Sequence, residues 1–134
     1  MAYWLLKTEP TEFSFADLQE KGKAVWDGVT NNLALKHLRS MKKGDMAFIY
    51  HTGDEKAIVG FAEIVSNPYP DPKQDDLKLV VVDIKAKREF LKKVSLAEIK
   101  SKKEFETFEL VRISRLSVMP VELTLANLLL DLTK

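Results

Sequence analysis

Cysteine is absent from the 134-residue chain, so no disulfide, no thiolate nucleophile and no zinc site of the common cysteine-bearing kinds can form. Histidine is nearly as scarce: His37 and His51 stand far apart, with no acidic residue at zinc-protease spacing. A metal site would need several carboxylates assembled by the fold, and none is expected. The five glycines (Gly22, Gly28, Gly44, Gly53, Gly60) are scattered and build neither a phosphate-cradling GxxxxGK[ST] nor a dinucleotide GxGxxG, so no cofactor is expected. G-x-S-x-G is missing as well, and no catalytic residue is assigned. Long apolar runs are lacking: in MAYWLLKTEP only a few apolar residues precede Lys7 and Glu9, too short for a secretory core or a membrane span. The expectation is a cytoplasmic protein with no membrane partner. Charge of one sign is not in excess either, with 21 Lys and Arg against 20 Asp and Glu, so no global field draws the chain toward nucleic acid.

What remains is 46% apolar and 31% charged, the balance of a soluble globular chain, and its length suits one domain over residues 1–134, expected to be a monomer. Basic residues are unevenly placed: Lys85, Lys87, Arg88, Lys92, Lys93, Lys100, Lys102 and Lys103 face only Glu89 and Glu98, which reads first as a solvated face of strand and helix and second as a phosphate-binding patch.

AYWLLKT reads as a buried strand stopped by Pro10. Ser14 and Asp17 have the spacing of a reciprocal cap, predicting a helix over 14–21 closed by Gly22. Ala34, Leu35, Leu38 and Met41 form a stripe at helical spacing over about 31–42, with Gly44 suited to a left-handed cap. MAFIYHT and AIVGFAEIV, separated by GDEK, read as a hairpin in which Gly60 marks a bulge or a close contact. LKLVVVDIKA and FELVRISRLSV read as strands, with a short helix starting at SLAE between them. A terminal helix is predicted to dock on the core through Val121, Leu125, Leu128, Leu129 and Leu132. Strands interleaved with short helices and hairpin-length loops give an α+β class with a mixed or antiparallel sheet curled toward a barrel.

Three stretches are too polar for a core and too aromatic for ordinary surface: YWLLKTEP at 3–10, VWDGVTNNLA at 25–34 and IYHTG at 49–53. Together with NPYPDP at 67–72 and RLSVMP at 115–120, they resemble the EVE domain of the PUA-like group, in order along nearly the whole chain. The resemblance implies a PUA-like β-barrel flanked by short helices. It further implies a non-catalytic module that recognises a flipped-out modified base, for example 5-methylcytosine or 5-hydroxymethylcytosine, with DNA ahead of RNA as partner. By the same resemblance the pocket is formed by Lys7, Thr8, Glu9, Trp26, Asn31, Asn32, Tyr50, His51 and Thr52. Thr30 stands where the family commonly has arginine, and Thr52 where serine is usual.

These residue types suit that task. Trp26, Tyr50 or Trp4 can replace a stacked neighbour, Glu9 can accept from an exocyclic amine, and Asn31 or Asn32 can donate and accept. Each also has a plain structural role: Trp4 alternates with Leu6 as core, Trp26 divides evenly between core and stacking, and Asp27 can set an Asp-Gly turn. Asn31 or Asn32 can cap a helix, His51 can be a hydrogen-bonded structural residue, and Tyr69 can pin its loop. Two other function classes stay open: an enzyme on nucleic acid using Asp27, Glu9 or His51, and a small-metabolite or protein-interaction domain using the same pocket.

Overall fold

The computed structural model describes residues 1–134, and its elements run β1 (Tyr3–Thr8), α1 (Phe15–Lys21), β2 (Lys23–Trp26), α2 (Asn32–Ser40), β3 (Met46–His51), β4 (Ala57–Ile64), β5 (Tyr69–Pro70), β6 (Val80–Ser95), α3 (Leu96–Lys100), α4 (Glu109–Arg112), β7 (Val118–Val121) and α5 (Leu123–Leu132). A single turn of 3-10 helix, Lys103–Phe105, links α3 to α4. One mixed seven-stranded sheet runs in the order β2-β6-β4-β3-β1-β7, with β5 on β6. β1 and β3 are parallel, from Tyr3 opposite Met46 to Thr8 opposite His51, while the other pairs are antiparallel. The class is α+β as the sequence implies. The barrel, however, is not closed: β2 and β7 end the path and do not pair with each other.

Bulges bend the sheet. Register shifts beside Gly60 in both of its ladders, and a Cβ there would stand 2.5 Å from the Phe15 ring, so both readings of this glycine hold. Phe15 begins α1, whose predicted reciprocal cap is present: Asp17 N donates to Ser14 Oγ at 3.0 Å and Ser14 N to Asp17 Oδ2 at 2.9 Å. Those bonds hold the Asp17 carboxyl below its ordinary value. Ser95 caps α3 through Glu98 N alone, without the return bond. Inside the sheet, Leu5, Leu6, Phe48, Ile49, Ile58 and Val94 meet the buried faces of α1, α2 and α5. Asp45 is the buried carboxylate that ties β1 down, accepting from Ala2 N, Trp4 Nε1 and Lys42 N at 2.9–3.0 Å. Burial alone would raise its pKa, but the three donors outweigh it and hold the carboxyl below the usual aspartate range.

Three expectations need correction. FELVRISRLSV is not a strand: Glu109–Arg112 form a helical turn with Phe108 and Leu110 buried, and only its last residue enters β7. The Phe108–Leu110 alternation mimics a strand because a single helical turn is too short to display its own period. The stretch 77–86 is displaced, since Leu77 is exposed and β6 begins at Val80 and continues through the basic segment to Ser95. α2 stops at Ser40, with Met41 in extended conformation, and Gly44 takes φ +99° in the following turn, where its N–H donates to Ile64 O. The terminal helix docks as predicted through Leu125 and Leu129, with Ala126 also buried, but Val121 precedes it in β7, and Leu128 and Leu132 are half-buried. No helix is long and apolar enough to cross a membrane.

Candidate functional site

A cleft of about 830 Å³ opens where the sheet fails to close. One wall is the edge strand β2 and the following turn, Lys23 to Asn31; the other is the end of β1, Lys7 to Glu9, with Ser117 just before β7. Lys7 N donates to Ser117 O at 2.9 Å, which joins the residues of that second wall. Glu12, Phe13, Lys21 and Lys73 complete the lining. Four of the five resembling stretches border the cleft or adjoin a lining residue, and the fifth, IYHTG, supports it from behind.

Lys7, Thr8, Glu9, Trp26 and Asn31 are brought together here. Trp26 is 8% exposed, ends β2 opposite Val82 and meets the Phe13 ring edge-on at 6.3 Å, so it is a core residue with part of its surface on the cleft. Glu9 is held by Thr11 N (3.2 Å), Thr11 Oγ1 (3.1 Å) and Thr52 Oγ1 (3.2 Å). The Thr11 backbone donor, then the hydroxyls, keep its carboxyl below the usual value. Asn31 caps α2 with its side-chain oxygen, accepting from Ala34 N at 3.0 Å, which leaves its amide NH₂ uncommitted. Thr8 Oγ1 donates to Phe13 O at 2.6 Å, and Lys7 Nζ donates to Ser114 O at 2.8 Å while lying 5.6 Å from the Tyr50 ring centroid. Burial lowers the Lys7 pKa and raises that of Tyr50.

Asn32, Tyr50, His51 and Thr52 do not line the cleft. Asn32 is exposed on the first turn of α2, and Tyr50 is a core residue, 3% exposed. His51 uses both ring nitrogens: Nε2 accepts from Phe15 N at 3.0 Å, so Nδ1 carries the proton and donates to Glu55 Oε1 at 2.7 Å. Glu55 in turn binds Lys93 Nζ at 2.6 Å, and this bond, with that from His51, depresses its carboxyl. Thr52 reaches the site through Glu9, by its hydroxyl, and through Thr8, whose carbonyl accepts from Thr52 N at 2.9 Å.

The lining residues that sequence reasoning missed include Phe13, Lys21, Lys23, Val25, Lys73 and Ser117. The signal was KAVW: Ala24 and Trp26 alternate with Lys23 and Val25, a four-residue strand pattern between Gly22 and the Asp27-Gly28 turn. Thr30 also borders the cleft, where four lysines (Lys7, Lys21, Lys23, Lys73) now outnumber Glu9, Glu12 and Asp27. Tyr69 pins its loop, donating to Asp83 Oδ1 at 2.6 Å, which pushes the phenol up to about 12. The other Asp83 oxygen lies 3.8 Å from Lys23 Nζ.

An open, PUA-like mixed sheet with short helices around it, cleft between its unpaired ends, defines the class of protein. Within that class the chain belongs to the EVE domain family, which it matches over residues 2–132. It is similar to mouse thymocyte nuclear protein 1, 38% identical over 74% of this chain and 55% of that protein, so it spans about half the length of the curated relatives it matches. A solved protein of Agrobacterium tumefaciens superposes with TM-score 0.96 at 34% identity, covering 99% of this chain and 93% of the other. The human THYN1 protein, solved in complex with 5-methylcytosine-containing DNA, superposes with TM-score 0.90 at 32% identity, covering 100% and 98%.

Proposed function

We propose that this chain is a non-catalytic nucleic-acid-binding module that takes an extruded, modified base, such as 5-methylcytosine or 5-hydroxymethylcytosine in DNA, into the cleft between β2 and the end of β1. The observation that carries this reading is the convergence of Trp26, Glu9 and Asn31 on one cleft, in a chain similar to the DNA-bound human protein. Its volume falls within the roughly 300–1,000 Å³ of small-ligand sites. Trp26 supplies a stacking surface, worth about 1–3 kcal/mol per base. Glu9, ionised and fixed by its threonines, accepts from an exocyclic amine, and the free amide of Asn31 donates to a ring or carbonyl acceptor. Lys21, Lys23 and Lys73 face the phosphates and stand in for the arginine that Thr30 replaces. Lys7 and Thr8 shape the floor, while Tyr50, His51 and Thr52 act from behind it and Asn32 from the outer rim.

Binding rather than catalysis is supported by the state of His51, whose two nitrogens are engaged away from the cleft. The proposal places the protein in the cytoplasm as a monomer acting on DNA, with RNA as the alternative polymer.

The test is affinity for matched oligonucleotides with and without one 5-methylcytosine at two salt concentrations. Pocket recognition gives a preference for the methylated form that survives added salt, because counterion competition weakens phosphate contacts to both forms alike. Equal affinity for the two, lost together at moderate salt, overturns the reading.

A further inference from the structure

Side chains of successive strand residues point to opposite faces of a sheet. Lys23, Ala24, Val25 and Trp26 all border the cleft, as successive residues of an edge strand can whichever face their side chains take. β2 pairs with β6 alone, and the parity of that ladder is fixed at its start, where Gly22 O accepts from Ala86 N at 3.2 Å. In the register Lys23 opposite Lys85, the hydrogen-bonded pairs are then Ala24 with Ile84 and Trp26 with Val82. β6 agrees from its other side: Asp83 O accepts from Val65 N at 2.9 Å, so Asp83 turns its backbone toward β4. Lys23 and Val25 therefore aim their N–H and C=O groups at the open edge. No turn, loop or cap hydrogen bond reaches either residue.

An extended residue sets its N–H and C=O side by side on one edge, donor next to acceptor. The pairing edge of a nucleobase has the same design, and cytosine offers an amine beside a ring nitrogen acceptor. We propose, resting on the base-binding reading above, that the open edge of β2 reads the pairing edge of the extruded base. The Val25 C=O accepts from the exocyclic amine and the Val25 N–H donates to the adjacent ring nitrogen. Val25 is placed for this because it directly precedes Trp26, the stacking surface, whereas Lys23 stands at the other end of the strand. Backbone groups that occupy the pairing edge demand a base freed from its partner strand and are blind to a 5-substituent, so discrimination of the modification falls to side chains.

The experiment is amide hydrogen exchange and titration with the 5-methylcytosine oligonucleotide. Bound protein should show exchange at Val25 slowed by about ten-fold or more, the loss of one hydrogen bond's worth of opening. Ala24 and Trp26, already bonded to β6, should change little. Val25→Pro deletes the outward N–H yet leaves the β6 ladder intact, as proline is tolerated on a strand edge; it should bind about ten-fold more weakly. If Val25→Pro does not fold, exchange in the unmodified protein decides. Binding of the methylated oligonucleotide with Val25 and Lys23 exchanging as in the free protein overturns the edge-reading while base uptake stands. No preference for the methylated oligonucleotide overturns both.

Discussion

Asn31 shows how one side chain can serve fold and ligand at once. Its oxygen caps α2, its NH₂ is left uncommitted, and the residue lines the cleft. Asn31→Ala should cost about 1 kcal/mol of stability through the lost cap, whereas Asn31→Asp keeps a cap acceptor and should melt like the parent. Both should weaken base binding, since both lack the donor; thermal melts beside titrations separate the two roles. Asp45 is the residue whose pH behaviour is clearest. Its folded pKa lies below the unfolded one, so its contribution is fully present above the ordinary aspartate value and is lost as pH falls through the lower, folded value. Asp45→Asn should destabilise at neutral pH by about 2 kcal/mol and flatten the acid limb of stability measured by denaturant unfolding. An acid limb unchanged by the substitution would contradict this role.

Among the elements, the β3–β4 turn couples most directly to the site. Gly53 has φ +78°, and a Cβ there would lie 2.9 Å from Glu9 Oε2. Gly53→Ala should therefore strain the turn by about 1 kcal/mol and push Glu9 out of its threonine cradle. The expected readout is a larger loss of binding than of stability; unchanged affinity would show that Glu9 does not touch the ligand. Much of this level was legible in the sequence, because caps and periods are local signals: Ser14 and Asp17 announced α1, and the leucines of α5 announced its buried face. β2 was signalled only by the KAVW alternation, and four residues ending in tryptophan are too few to be told from the start of a loop until β6 supplies a partner. The same locality explains the site. Lys7 to Glu9 and Trp26 to Asn31 could be named from their motifs, but Phe13, Lys73 and Ser117 join them only through folding. His51 was drawn toward the cleft by sequence neighbours, whereas its hydrogen bond to Phe15 faces it the other way.

At the scale of the whole molecule, the deciding feature is that the sheet stays open. Closure would pair β2 with the far end of the path and remove the cleft; instead both ends are left apart, and aromatic, amide, carboxylate and lysine groups collect between them. The long basic run on β6 lies beside this opening rather than within it, since Lys85 is the cross-strand neighbour of Lys23, with Lys87 held by Glu63 at 3.4 Å. The central claim is that a base leaves its stack to fill the gap. A crystal structure of the protein with a short oligonucleotide carrying one 5-methylcytosine tests it most directly. The account predicts that base out of its stack, against Trp26 and between Glu9 and the edge of β2; the same base stacked among its neighbours with the cleft unfilled would contradict it.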